Sequence, residues 1–262
     1  MSNLELLRER HSVRSYKKIT LDESVRNKLR SIASFVNSHE AGLRFVPIFN
    51  DDAPFRGFGR SYGMFRNVEN YLAVIIDPTF ENTLERAGYY AEEFVIEAVK
   101  LGLGTCFVGG TFSKNHIDTI VEVYERIPFV IAFGISDIKN TSTLAKLTSC
   151  FVHRKALKPR EFFLGTDDDY NSAVEKFPWL NNALQAIASA PSALNLMPVR
   201  LSMINSDINE DNEMGGVTQI AASTIDPEKY PIELGIAKYN IAYAVGGMWD
   251  WGNNATFYPD EV

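Results

Sequence analysis

The 262-residue chain is 45% hydrophobic and 23% charged, with 26 basic and 33 acidic residues and a net charge of −7. This is an ordinary balance for a soluble globular protein, at a length that allows one large domain or two closely packed halves. An acidic chain is poorly suited to nucleic-acid backbones. No apolar run approaches membrane-spanning length, and the first residues lack the basic-then-apolar pattern of a signal peptide.

Thr20-Leu21-Asp22-Glu23 has the pattern of a helix start, with Thr20 as cap and Glu23 three residues on, and it predicts a helix to about Asn37. Leu43 to Phe49 and Tyr71 to Ile76 read as strands, the second stopped by Asp77-Pro78. From Leu84 to Leu101 the apolar residues recur at helical spacing. The glycine-rich stretch Gly102 to Gly110 ends that helix. Ile117 to Tyr124 is expected to be another helix and Phe129 to Phe133 a short strand. The run from Arg154 to Asn171 changes character and reads as a crossing between two halves. A helix to about Ser189, a Pro/Ser-rich turn and a strand from Val199 to Ile204 follow, then a polar loop from Ser206 to Gly216. Ile232 to Trp249 is apolar on nearly every face, as a deeply buried helix would be.

The halves echo each other. Ser31-Ile32-Ala33-Ser34 has a counterpart in Ala186-Ile187-Ala188-Ser189, and Glu85-Arg86-Ala87-Gly88-Tyr89-Tyr90 in Ile232-Glu233-Leu234-Gly235-Ile236-Ala237. A duplicated α+β unit would build within one chain an interface that a homodimer otherwise supplies.

Three segments have chemistry to offer. In Arg10-His11-Ser12-Val13-Arg14, alternate residues of an extended segment share a face, so Arg10, Ser12 and Arg14 can meet one anionic ligand. The plainer reading is a solvated basic patch. Gly102-Leu-Gly-Thr-Cys-Phe-Val-Gly-Gly110 offers a backbone that a flat ligand can approach closely, or simply a helix end and a bend. It lacks the spacing of a dinucleotide fingerprint. Pro191 to Val199 holds Ser192 and Asn195 between Pro191 and Pro198, and is otherwise an ordinary helix-to-strand loop. Gly59-Arg60-Ser61-Tyr62-Gly63 matches a hydrolase pattern, but the strand before it and the helix after it are missing. Phe55, Phe58, Tyr62, Phe65 and Tyr89 are candidates for a ring-stacking pocket or for core, and Gly57, Gly59 and Gly63 for a mobile loop beside it. His11, His39, His116 and His153 have no metal-ligand spacing. Cys106 and Cys150 form no Cys-x-x-Cys pair, which points to a reducing, cytoplasmic setting.

Together these segments resemble the nitroreductase family. Arg10 to Arg14 resembles its opening Arg-Arg-Ser-x-Arg motif, Gly102 to Gly110 its Gly-Leu-Gly-Thr-Cys-Trp-x-Gly-Gly motif, and Pro191 to Val199 its Pro-Ser-x-x-Asn-x-Gln-Pro-Trp motif. Cys150 to Lys155 resembles its basic C-terminal element. Here the Pro-Ser-Asn element comes late and the basic element ends the first half. That order is similar to the branch with two nitroreductase-like halves in one chain.

The resemblance implies an α+β nitroreductase fold, duplicated as residues 1–157 and 158–262 so that a monomer acts as a pseudo-dimer. It implies one FMN site. Arg10, His11, Ser12, Arg14, Phe107, Val108, Gly109, Gly110 and Arg154 would come from the first half, and Pro191, Ser192, Ala193 and Asn195 from the second. Met197 stands where glutamine is common. The implied activity is NAD(P)H oxidoreduction of nitroaromatics, quinones or similar flat acceptors by a ping-pong cycle. A flavin-binding protein without turnover is the alternative on the same fold.

Overall fold

In the computed structural model, described over residues 2–56, 63–137, 157–204 and 219–260, the strand Asn70–Ile76 (β2) is buried at every position. An apolar run with no polar face needs cover on both sides, and it has it. One face of its sheet packs against the helices Glu23–His39 (α2) and Thr83–Lys100 (α3), through Leu29, Val36, Phe94 and Val95. The other face packs against Val13, Tyr16, Phe55 and Phe112. The sheet is antiparallel, in the order Leu43–Phe49 (β1), β2, Arg126–Gly134 (β4), Gly104–Val108 (β3). A second sheet runs Phe163–Leu164 (β5), Val199–Ile204 (β6), Gln219–Thr224 (β7), Ala255–Pro259 (β9), Gly247–Trp249 (β8). Asp167–Lys176 (α4), Leu180–Ser189 (α5) and Pro231–Val245 (α6) belong to this half.

The element order repeats. Helix, two strands, helix and two strands (α2 to β4) recur as α5 to β9. The sheet orders β1-β2-β4-β3 and β6-β7-β9-β8 correspond, with every corresponding pair antiparallel. The two halves meet along α3 and α6. A Cβ on Gly88 would lie 2.2 Å from the Ile232 carbonyl oxygen, and one on Gly235 would lie 1.8 Å from that of Glu85. Each glycine thus meets the residue three positions before the other. That reciprocity is the pattern of contacts across a two-fold axis. Lys238 and Glu85 form a buried ion pair at 2.5 Å beside this seam, and Lys238 also donates to the carbonyls of Asp250 and Gly252.

Several elements differ from the sequence expectation. The helix expected from Thr20 is capped at Asp22 instead and starts at Glu23. Asn3–Glu9 forms a further helix (α1), closed by a reciprocal Ser2–Glu5 capping box. Ile117 to Tyr124 is irregular, not helical. Its β-branched Ile117, Thr119, Ile120, Val121 and Val123 disfavour helix, and exposed Ile120, Val123 and Tyr124 have no face to pack on. The glycine-rich stretch is mostly strand, because Thr105 to Val108 are good strand formers paired to β4. The expected crossing segment already contains α4, whose Thr166–Asp169 capping box starts it at Asp167, and the helix that follows it is split from α4 at Pro178. The last helix stops at Val245, where Gly246 takes φ 83° and the chain turns into β8. Residues 206–216 lie outside the described residues. Among the described residues no helix is long and apolar enough to cross a membrane.

Candidate functional site

Packing sends the N-terminal segment from one half to the other. Leu6 and Leu7 of α1 bury in the core of the second half, and the Asn3 amide donates to the Tyr243 carbonyl at 2.6 Å. The chain then returns along the edge of β3. Ser12 pairs with Thr105, and the Val13 N–H donates to the Thr105 carbonyl at 2.8 Å. This close approach needs Gly104, since a Cβ there would lie 2.7 Å from Val13 Cγ2. Val13 and Ser15 face inward, which leaves Ser12 and Arg14 on the other side of the extended segment.

They face a cavity of about 260 Å³. It opens where β3 ends. The last β3–β4 pair is Val108 with Val130, so Pro128 lies beyond the ladder and its missing N–H costs no bond to β3. The wall is made by Ser12, Arg14, Phe107, Gly109, Pro128 and Phe129 from the first half, and by Pro191 to Leu194 and the first turn of α6 from the second. A Cβ on Gly109 or Gly110 would meet nothing within 4 Å, so the backbone there stands open.

The second-half wall is built under strain. Leu194, Asn195 and Met197 all have left-handed backbone, with φ of 52°, 53° and 48°. Each such residue other than asparagine or glycine costs on the order of 1–2 kcal/mol. Two hydrogen bonds hold the loop: the Met197 N–H donates to Ser192 Oγ at 2.9 Å, and the Ala193 N–H to Glu233 Oε1 at 3.3 Å.

Of the candidate residues, the cavity wall gathers Ser12, Arg14, Phe107, Gly109, Pro191, Ser192 and Ala193. Val108 is buried in the sheet, Gly110 is exposed just past it, and half-buried Asn195 lies in the strained loop outside the wall. His11 is exposed and bonds the Glu9 carbonyl through Nδ1. Arg10 turns away from the cavity. Its guanidinium lies 3.9 Å from Glu92, whose side chain is fully buried on α3. Burial pushes the Glu92 carboxyl up to about 7, and the positive charge of Arg10 pulls it partly back. Among the described residues, both Glu92 oxygens, Arg10 Nε and Asn240 Oδ1 have no hydrogen-bond partner. Arg154, Cys150, Phe58, Ser61, Tyr62 and the glycines Gly57 and Gly59 lie outside the described residues. Cys106 is buried and its thiol is pushed up by burial, which suits a small core residue and not a reactive one.

The aromatic candidates split between two other places. Phe55 packs against Phe65 and Tyr71, and Tyr89 against Tyr239 and Trp251. The rings at the cavity are Phe107 and Phe129, with centroids 5.5 Å apart. Sequence reasoning missed Pro128, Phe129, Leu194, Ile232, Glu233 and Ile236 as wall residues. The one available signal was a proline inside a strand pattern, which marks a strand edge or bulge.

A family model described as "Putative TM nitroreductase" matches residues 3–245. No curated protein matches the chain in sequence. Among solved structures, a "putative nitroreductase" of Thermotoga maritima is 17% identical, with a TM-score of 0.60 over 98% of this chain and 92% of that one. A nitroreductase family protein of Clostridium novyi is 16% identical, with a TM-score of 0.43 over 56% of this chain and 91% of that one. A nitroreductase with bound FMN from Bacteroides fragilis is 14% identical, with a TM-score of 0.41 over 52% of this chain and 89% of that one.

Proposed function

Because the chain belongs to the TM nitroreductase family, matched over residues 3–245, we propose that it is an FMN-dependent oxidoreductase. In this reading it takes electrons from NAD(P)H and passes them to nitroaromatics, quinones or other flat acceptors, one substrate after the other at the same site. One observation carries the reading: a single cavity draws together Ser12 and Arg14, Phe107 and Gly109, and Pro191 to Ala193, three segments far apart in sequence.

The residues present fit the cofactor. The cavity, at about 260 Å³, is just below the ~300–1,000 Å³ usual for small-molecule sites. The exposed backbone at Gly109 and Gly110 can donate N–H groups without a side chain intervening. Arg14 offers a fixed positive charge for the anionic edge of a reduced ring. Ser12, beside it on the same face, would hold phosphate by a hydroxyl hydrogen bond, with Arg154 as the family's further candidate. Arg10, turned toward Glu92, would reach a phosphate only by leaving that partner. Phe107, Phe129, Ile232 and Ile236 line the cavity with apolar surface that would help exclude water around a bound ring. When bound, FMN would supply the hydride chemistry, so no side-chain nucleophile is needed.

We also read residues 1–157 and 158–262 as two copies of one unit, which supports a monomer that carries one site. The repeated element order and the reciprocal Gly88 and Gly235 contacts support this. Trp251, two residues past β8, stands where Gly110 stands past β3. It is covered by Arg86 at 5.2 Å and packs against Tyr89 at 5.4 Å, and Arg86 is held by Glu40 at 3.4 Å.

Titrating the flavin-free protein with FMN tests both readings. Quenching of FMN fluorescence that saturates at one per monomer is expected. Saturation at two, or only in a dimer, would end the single-site reading, and the absence of quenching would end the flavin reading.

A further inference from the structure

We propose that Glu233 sets the ligand specificity of the cavity, disfavouring aromatic acids and admitting neutral or cationic aromatic ligands. The inference deepens the oxidoreductase reading and rests on it.

Two charged residues line the cavity: Arg14 on the first-half wall and Glu233 on the first turn of α6. Glu233 has no Lys or Arg nitrogen within 4 Å among the described residues. Its one recorded bond is the 3.3 Å contact with the Ala193 N–H. Glu233 is half-buried as a residue, and the wall around it is mostly apolar, with Ile232, Ile236, Pro191 and Leu194 beside Ser192. A flat ligand that enters displaces water from around this charge. If Arg14 is engaged by a flavin, the charge left facing the ligand is negative. A carboxylate on the ligand then meets a like charge in a site where water screens it less than in bulk. A neutral amide of the same shape meets none of this and can donate a hydrogen bond to Glu233.

The test uses benzoate and benzamide, which are alike in shape, titrated calorimetrically into the full-length FMN-loaded protein. The wild type should bind benzamide about tenfold more tightly than benzoate. Glu233→Gln keeps an acceptor for the Ala193 N–H and should bring the two within about twofold, by tightening benzoate. Glu233→Asp should retain the discrimination. Thermal unfolding of each variant confirms that the fold is kept. Equal affinities in the wild type, binding of neither ligand, or a Glu233→Gln change that moves both ligands alike would overturn the proposal. A protein that takes up no FMN would overturn the flavin reading instead. On that protein Arg14 is unengaged, so the readout becomes the Glu233→Gln comparison alone: tightening of benzoate with benzamide unchanged supports the proposal, and no change in benzoate overturns it.

Discussion

Replacing Glu92 with glutamine should stabilise the protein at pH 8 and change it little at pH 5. The side chain is fully buried on α3, and among the described residues both its oxygens lack hydrogen-bond partners and the one cation paired with it is Arg10 at 3.9 Å. Burial raises its carboxyl from 4.5 to about 7. The sign follows from proton binding. Between 4.5 and 7 the unfolded chain has released this proton and the folded chain has kept it, so stability falls as pH rises. The full contribution is present below 4.5 and is gone above 7. A rise from 4.5 to about 7, at about 1.4 kcal/mol for each tenfold change in proton affinity, makes the ionised residue costly by about 3 kcal/mol at pH 8. Glutamine resembles the protonated acid and avoids that cost. Urea unfolding of wild type and Glu92→Gln at pH 5, 6, 7 and 8 should give a difference below about 1 kcal/mol at pH 5 that grows to about 3 kcal/mol at pH 8. The corresponding rise in Tm at pH 8 is on the order of 10 °C. A variant less stable than wild type at pH 8, or a difference that does not change with pH, would refute the reasoning. In that case the Glu92–Arg10 attraction outweighs the desolvation of the carboxylate.

Three further outcomes are expected. Gly235→Ala places a methyl 1.8 Å from the Glu85 carbonyl oxygen, so α3 and α6 must part; a loss of at least about 3 kcal/mol is expected by urea unfolding, whereas Gly109→Ala, with open space around it, should stay within about 0.5 kcal/mol of wild type. Lys238→Met leaves Glu85 buried without its cation and should cost about 3–5 kcal/mol, most of it recovered in the Glu85→Gln/Lys238→Met double variant. Arg14→Gln should weaken FMN binding about 10- to 100-fold by fluorescence quenching while the flavin-free protein keeps its Tm; unchanged affinity would remove Arg14 from the site.

Elements with a single dominant signal were legible in the sequence. The bounds of β1 and β6 were as expected, β2 began one residue earlier than read, and α3 followed from apolar spacing. Where two tendencies competed, pattern alone failed. Ile117 to Tyr124 carried apolar residues at plausible helical spacing, but its β-branched residues and lack of a packing face decided otherwise. Gly102 to Gly110 looked like loop because of its glycines, whereas Gly104 serves to let Val13 pack against β3. For the candidate site, Ser12 and Arg14 were legible from the two-residue period of extended chain. Arg10 shared that period, yet it lies next to α1 and is drawn to Glu92, a charge that nothing local in the sequence places beside it. Glu233 was hidden for the same kind of reason. It sits in the sequence as one acid in an apolar helix, and only the meeting of the two halves turns it toward a cavity.

The visible spectrum of the purified protein, recorded anaerobically before and after addition of NADPH or NADH, tests the central claim most directly. The account predicts a yellow protein, with one FMN per chain, whose absorbance bleaches on addition of the nicotinamide and returns with a quinone or nitroaromatic. A yellow protein that does not bleach with either nucleotide would contradict the oxidoreductase reading and leave flavin binding alone. A colourless protein that cannot be reconstituted with FMN would contradict the account as a whole.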